Sequence, residues 1–292
     1  MPLDLPTFYK RAGSSVIFVA IMLTGLLGNK WAFLALICLI QVLCLHEFFK
    51  LVQKIDVSSY WPKWLPYFIQ LVGIGIIYPY LFWHHLFELQ SSDWTMSFWF
   101  SKLMWVLLPI IPTILLFISI IPKKEFFLAV LKCAGGLLYI ALPMLLLLQI
   151  RMKDPVLPMA LLLMIWTNDT MAYILGSFVG KTHFTDISPN KTIEGTIGGI
   201  ILTVGAATLF GFLTNKYSLL QNNYHLLDWM MLALCATIAG TLGDLLESKL
   251  KRMADVKDSG TLMPGHGGAL DRFDSLLFTA PFAYVYVIYF MH

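Results

Sequence analysis

Apolar runs long enough to cross a lipid bilayer fill most of this chain, and they limit its folds more than any motif does. A spanning helix needs about 20 mostly apolar residues. That ruler gives nine candidate spans, at 12–29, 31–50, 64–83, 103–121, 126–150, 156–179, 193–214, 227–247 and 275–291. Only Gly28, Asn29 and Lys30 separate the first two, which predicts a tight helical hairpin. Pro122 and the charged Lys123-Lys124-Glu125 end span four and open span five. The expected fold is therefore all-α: a polytopic integral membrane protein, one domain over 1–292.

Composition agrees. The chain is 58% hydrophobic and only 13% charged, with a mean hydropathy of +0.75, whereas soluble domains carry about 25% charge. These values exclude a disordered chain, a secreted disulfide scaffold and a nucleic-acid binder. Cys38, Cys44, Cys133 and Cys235 all lie in apolar segments with no Cys-x-x-Cys pair, so they read as small core residues. Lys10 and Arg11 precede an apolar run with no small-residue cleavage site after it, and this run reads as an uncleaved first span.

Lys and Arg accumulate in cytoplasmic loops. With the N-terminus inside, fourteen of the 20 fall on the cytoplasmic face and one, Lys132, within a span. The other face receives Lys30, Lys102, Arg151, Lys153 and Lys216. The loops at 180–194 and 248–274 then both face the cytoplasm.

The net charge of +3 is too small to attract an anion by its total, so anion binding must come from clustering. Eleven charged residues fall between Asp244 and Asp274. Asp244, Ser248 and Lys251 are spaced i, i+4, i+7, which places them on one face of a continuing helix. Asp271 and Asp274 share a face at the start of span nine, where two carboxylates repel unless a cation lies between them. Gly260, Gly265, Gly267 and Gly268 surround Pro264 and His266 in a loop whose N–H groups can approach an anion. Lys251, Arg252, Lys257 and Arg272 flank it. Carboxylates for a divalent ion, cations for phosphate oxygens and a Gly-rich loop are the parts of phosphoryl or nucleotidyl transfer. Taken singly, each also has a structural reading, as a helix N-terminal carboxylate or a surface pair such as Lys251 with Asp255.

A second constellation starts in span six with Asn168 and Asp169. A carboxylate inside a span costs about 2.5–3.5 kcal/mol on insertion, so Asp169 should face a wet cavity or a partner. Tyr173 lies one turn on, and Gly176 and Gly180 form a small-xxx-small pair suited to close helix packing. Gly176 to Thr182 nearly spells a P-loop, but it has one residue too few between the glycines and follows a membrane helix. Ser188 and Pro189 have the form of a helix cap and first position. Lys191 and Glu194 then lie at the membrane surface. The histidines outside the last loop and the chain end lack metal-ligand spacing apart from His46-Glu47, and they read as interfacial or packing residues.

The order Ser248-Lys-Leu-Lys251-Arg252, Lys257-Asp258-Ser-Gly, Pro264-Gly-His266-Gly-Gly and Asp271-Arg272-Phe-Asp274 resembles the signature of the phosphatidate cytidylyltransferases, the CDP-diacylglycerol synthases. Asn168-Asp169-Thr and Ser188-Pro-Asn-Lys191-Thr-Ile-Glu194-Gly resemble that family too. The match is close over about 165–275, within a catalytic half at 151–292, while the variable half at 1–150 matches only in length and hydropathy. The resemblance implies an enzyme joining CTP and phosphatidic acid to give CDP-diacylglycerol and pyrophosphate. It also implies Mg2+, a homodimer, and an inner cell membrane location. Carried over residue by residue, it assigns Asp244, Asp271 and Asp274 to the metal, and Ser248, Lys251, Asp271 and Arg272 to catalysis. Asn168, Asp169, Lys191, Glu194, Lys257, His266, Gly267 and Gly268 are assigned to substrate binding. A transporter would spread its charges through the membrane's depth, whereas here they collect at one face.

Overall fold

A backbone crossing lipid must satisfy its own N–H and C=O groups, and a helix does so within one segment. The computed structural model describes residues 5–56, 62–75, 124–185, 187–217, 222, 224–261 and 267–291. Among these the chain is helical without strands, apart from one isolated antiparallel bridge between His183 and Thr192. The helices are α1 (Leu5–Leu27), α2 (Lys30–Ile55), α3 (Leu65–Gly75) and α4 (Lys124–Gly136). A π-helical turn over Leu137–Ala141 leads into α5 (Leu142–Lys153), followed by α6 (Val156–Val179), α7 (Ile193–Lys216), α8 (Leu226–Met253) and α9 (Leu270–Tyr289). Among the described residues, five stretches are long and apolar enough to cross a membrane: α2, the run Leu128–Lys153, α6, α7 and α8. The span expected at 103–121, the later part of 64–83, and His266 lie outside the described residues.

Two helix starts differ from a sequence signal: α7 keeps the start of the 193–214 span against the cap signal at Ser188-Pro189, and α9 starts ahead of the 275–291 span. Helix α7 starts at Ile193, not at Pro189. Thr192 is its cap, accepting from the Gly195 amide at 3.2 Å, while Phe184 N donates to Lys191 O and Ile193 N to Thr182 O, holding 182–192 as a loop. Helix α9 starts at Leu270, so Asp271 and Asp274 both stand in its first turns. Helix α8 continues to Met253, which keeps Asp244, Ser248 and Lys251 on one helix.

Lipid gives helices no hydrophobic reason to associate, so close approach and polar contacts hold them together. Helix α6 packs on α7, and α8 on α9. A Cβ on Gly195 would lie 2.8 Å from the Gly176 Cα and 2.6 Å from the Ala172 carbonyl oxygen, so this crossing needs the missing side chain. Trp229, fully buried, lies against Gly211 in the same way.

Two of the cations that ran against the basic-residue bias, Arg151 and Lys153, cap helix ends. Arg151 donates to the carbonyls of Leu26 at 2.6 Å and Gly28 at 2.5 Å, with its guanidinium 4.6 Å above the Phe33 ring. Lys153 donates to the Val287 and Met291 carbonyls at the end of α9. Both satisfy orphan carbonyls and oppose the negative end of a helix dipole. Replacing Arg151 by Met takes this partner from the buried Leu26 carbonyl and the part-buried Gly28 carbonyl. At about 1.5–3 kcal/mol for a hydrogen bond to a charged group, the thermal midpoint of the detergent-solubilised protein should fall by roughly 5–10 °C. An unchanged midpoint would contradict this capping role.

Candidate active site

At the end of the bundle opposite Arg151, α8 and α9 approach closely because Gly243 lacks a side chain. A Cβ there would lie 2.6 Å from the Asp274 carbonyl oxygen and 2.8 Å from the Phe278 Cβ. The approach brings Asp244 and Glu247 of α8 against Asp274 of α9, with one carboxylate oxygen from each within 4.8 Å of the others. Two like charges about 4 Å apart cost roughly 4 kcal/mol at an effective dielectric of 20. Glu247 is fully buried and accepts no well-formed hydrogen bond, although Lys251 Nζ ion-pairs with it. Burial and the adjacent Asp244 push the Asp274 carboxyl well above its ordinary pKa. An all-oxygen donor set with an unsatisfied buried carboxylate fits a hard divalent cation such as Mg2+.

Asp271, three residues before Asp274, has a different environment. Its Oδ1 accepts from Lys251 Nζ at 2.6 Å. Its Oδ2 is approached by Ser259 N and Ser259 Oγ, each at 2.9 Å, and by Gly268 N at 2.7 Å. Burial alone would raise its pKa, but Lys251 and the Gly268 amide outweigh burial and hold it down at about 2. Gly267 has φ +84°, and a Cβ there would meet Asp271 Oδ2 at 2.6 Å. The two aspartates expected to share a cation have different surroundings: Asp274 lies in the acid cluster, while Asp271 ties the segment after α8 to α9.

The second constellation joins the first. Lys191, from the loop between α6 and α7, ion-pairs with Asp244. A cavity of about 620 Å³ is lined by Asn168, Asp169, Tyr173, Ser188, Asn190, Lys191, Thr192, Asp244, Asp271 and Asp274, among others. Asn168 is buried with its Oδ1 unpartnered. Glu194 is engaged with the loop before α7. Its carboxylate accepts from Thr182 Oγ1 at 2.8 Å and from the Lys181 and Thr182 amides at 3.2 Å.

Other signature residues lie apart from this cavity. Ser248 is half-buried and Arg272 exposed, and neither lines it. Lys257 lines a separate cleft with Lys50 and Lys54. Two residues escaped the sequence reading. Glu247 sits three residues after Asp244 on the same helix face, a spacing that marks it as a candidate third acid. Glu47 of α2 is buried, accepting from Ser259 Oγ and Leu270 N at 2.8 Å and from Ala269 N at 3.0 Å. Its only sequence signal was a carboxylate at the end of an apolar run.

A family model described as Cytidylyltransferase family matches residues 9–290. The chain belongs to that family. Among relatives, the "Phosphatidate cytidylyltransferase" of Synechocystis sp. is 49% identical over 124 residues, covering 42% of this chain and 40% of the relative. That of Bacillus subtilis is 46% identical over 121 residues, covering 41% and 43% respectively. That of Staphylococcus saprophyticus is 34% identical over 179 residues, covering 60% of this chain and 66% of the relative. The matches therefore span about two-fifths to two-thirds of the length of these relatives.

The helix approach that assembles the acids has a direct test. Gly243→Val wedges α8 from α9, and overpacking of this kind costs about 1–3 kcal/mol. The thermal midpoint should fall by several degrees, whereas Gly205→Val, with open space around its position, should leave it unchanged. Equal midpoints for the two variants would contradict the close contact.

Proposed function

We propose that the protein is a phosphatidate cytidylyltransferase, transferring a cytidylyl group from CTP to phosphatidic acid to give CDP-diacylglycerol and pyrophosphate in phospholipid biosynthesis. A phosphate oxygen of the lipid attacks the α-phosphorus of CTP, and the bond from that phosphorus to the bridging oxygen breaks as pyrophosphate leaves. Both reactants are anions, so charge neutralisation and positioning are the main demands on the protein. No side-chain nucleophile is required.

The observation that carries this reading is one polar cavity, at the end of an apolar bundle, with acids on one wall and Lys191 beside them. Asp244, Glu247 and Asp274 hold Mg2+ in the proposal. When bound, the ion supplies Lewis-acid neutralisation of the phosphate oxygens. Lys191 offers its ammonium to phosphate in the same cavity. Lys251, bonded to both Glu247 and Asp271, keeps the acids and the loop in register. Asn168 and Asp169 line the side formed by α6, where the lipid phosphate would arrive from the bilayer. On the signature's resemblance, Ser248 and Arg272 remain assigned to catalysis, and Lys257, Gly267 and Gly268 to substrate binding.

The reading extends to nine spans, an N-terminus and active site on the cytoplasmic side of the cell membrane, and a homodimer. The capping roles of Arg151 and Lys153 support the orientation, because they account for two of the cations placed on the opposite face.

The test uses detergent-purified full-length protein with phosphatidic acid, Mg2+ and CTP radiolabelled at either the α- or the γ-phosphate. Only the α-label should enter the lipid. Transfer of the γ-label would identify a CTP-using lipid kinase and overturn the proposal, as would no transfer from either. Glu247→Gln should lower α-label transfer by about 100-fold or more, and near-normal transfer would remove Glu247 from the site.

A further inference from the structure

The backbone N–H groups around the signature loop look placed for a substrate phosphate, but four of them already have carboxylate partners. Ser259 N and Gly268 N donate to Asp271, and Ala269 N and Leu270 N donate to Glu47. The anion at the first turn of α9 is therefore a side chain from α2, more than 200 residues away in sequence. Glu47 also accounts for two of the loop's glycines. A Cβ on Gly260 would lie 2.2 Å from Glu47 Oε1, and one on Gly268 would lie 2.2 Å from Glu47 Oε2.

The contacts continue inward. Ser259 Oγ lies 2.8 Å from Glu47 Oε2 and 2.9 Å from Asp271 Oδ2, Asp271 Oδ1 accepts from Lys251 at 2.6 Å, and Lys251 pairs with Glu247 of the acid cluster. A hydroxyl has one proton, so Ser259 Oγ donates to one of these carboxylates at a time, but its backbone N–H also donates to Asp271 Oδ2 at 2.9 Å, and Ser259 thereby links Glu47 to Asp271. We propose that Glu47 is a positioning residue for catalysis: the buried anion around which the signature loop folds, acting through Ser259 and Asp271 to fix Lys251 and the acid cluster. The N-terminal half thereby sets the geometry of a site carried by the C-terminal half. This rests on the proposed function for its kinetic readout, but not for its structural one.

Glu47→Gln keeps the side chain's size while turning one acceptor into a donor that faces N–H and O–H groups. Ser259→Ala removes only the bridge. Both variants are compared with wild type in the full-length detergent-solubilised protein, by kinetics with CTP and phosphatidic acid and by hydrogen exchange. For Glu47→Gln, kcat should fall about 10- to 100-fold with both KM values within about threefold. The 269 and 270 amides should lose protection while the Glu194-bound amides at 181 and 182 keep theirs. The double variant should be no slower than the worse single variant, because both act through one link.

Unchanged kcat and protection in Glu47→Gln, or fully additive losses in the double variant, would overturn the proposal. If Glu47→Gln does not fold, Ser259→Ala decides: a similar kcat loss at unchanged KM supports the link, and wild-type kcat removes it. Wild-type protein inactive with CTP and phosphatidic acid would defeat the proposed function, while the hydrogen-exchange comparison would still decide the role of Glu47.

Discussion

Carboxylates at the half-buried end of an apolar helix bundle must be compensated, and the rest of this site follows from how each one is. Glu47, Asp244, Glu247, Asp271 and Asp274 converge there from α2, α8 and α9. Glu47 and Asp271 are matched by backbone amides, a serine and a lysine, so they hold the loop. Asp244, Glu247 and Asp274 are only partly matched by Lys191 and Lys251. A buried acid with unmet acceptor capacity is costly unless a cation completes it, and this difference separates the anchoring acids from those suited to a metal.

The same constraint explains the use of small residues. Gly243 lets α9 reach α8 so that acids from two helices meet, and Gly195 lets α7 cross α6 so that Lys191 reaches Asp244. Gly260 and Gly268 leave room for the Glu47 carboxylate. In each case the absent side chain admits a specific backbone or charged group, and backbone flexibility is secondary.

Much of this was legible in the sequence. The span at 156–179 coincides with α6, and the i, i+4, i+7 stripe correctly placed Asp244, Ser248 and Lys251 on one helix, because apolar length and helical period are local properties. Ser188-Pro189 misled because a cap signal is also local, whereas the start of α7 was decided by pairing across the 182–192 loop. The spacing of Asp271 and Asp274 suggested a shared cation, and it could not reveal that Asp271 also accepts from Ser259, Gly268 and Lys251. Glu47 was harder still to see. Beyond the adjacent His46 and its place at the end of an apolar run, nothing in sequence marks it, and its partners are brought near only by tertiary packing.

The central proposal is that Asp244, Glu247 and Asp274 hold the cation, with Asp271 outside the site. Mn2+ binding to the detergent-solubilised protein, followed by electron paramagnetic resonance without nucleotide or lipid, tests this directly. The account predicts that Glu247→Gln weakens Mn2+ binding about 100-fold, whereas Asp271→Asn changes it by less than about tenfold. The reverse order would contradict the account and return Asp271 to the metal.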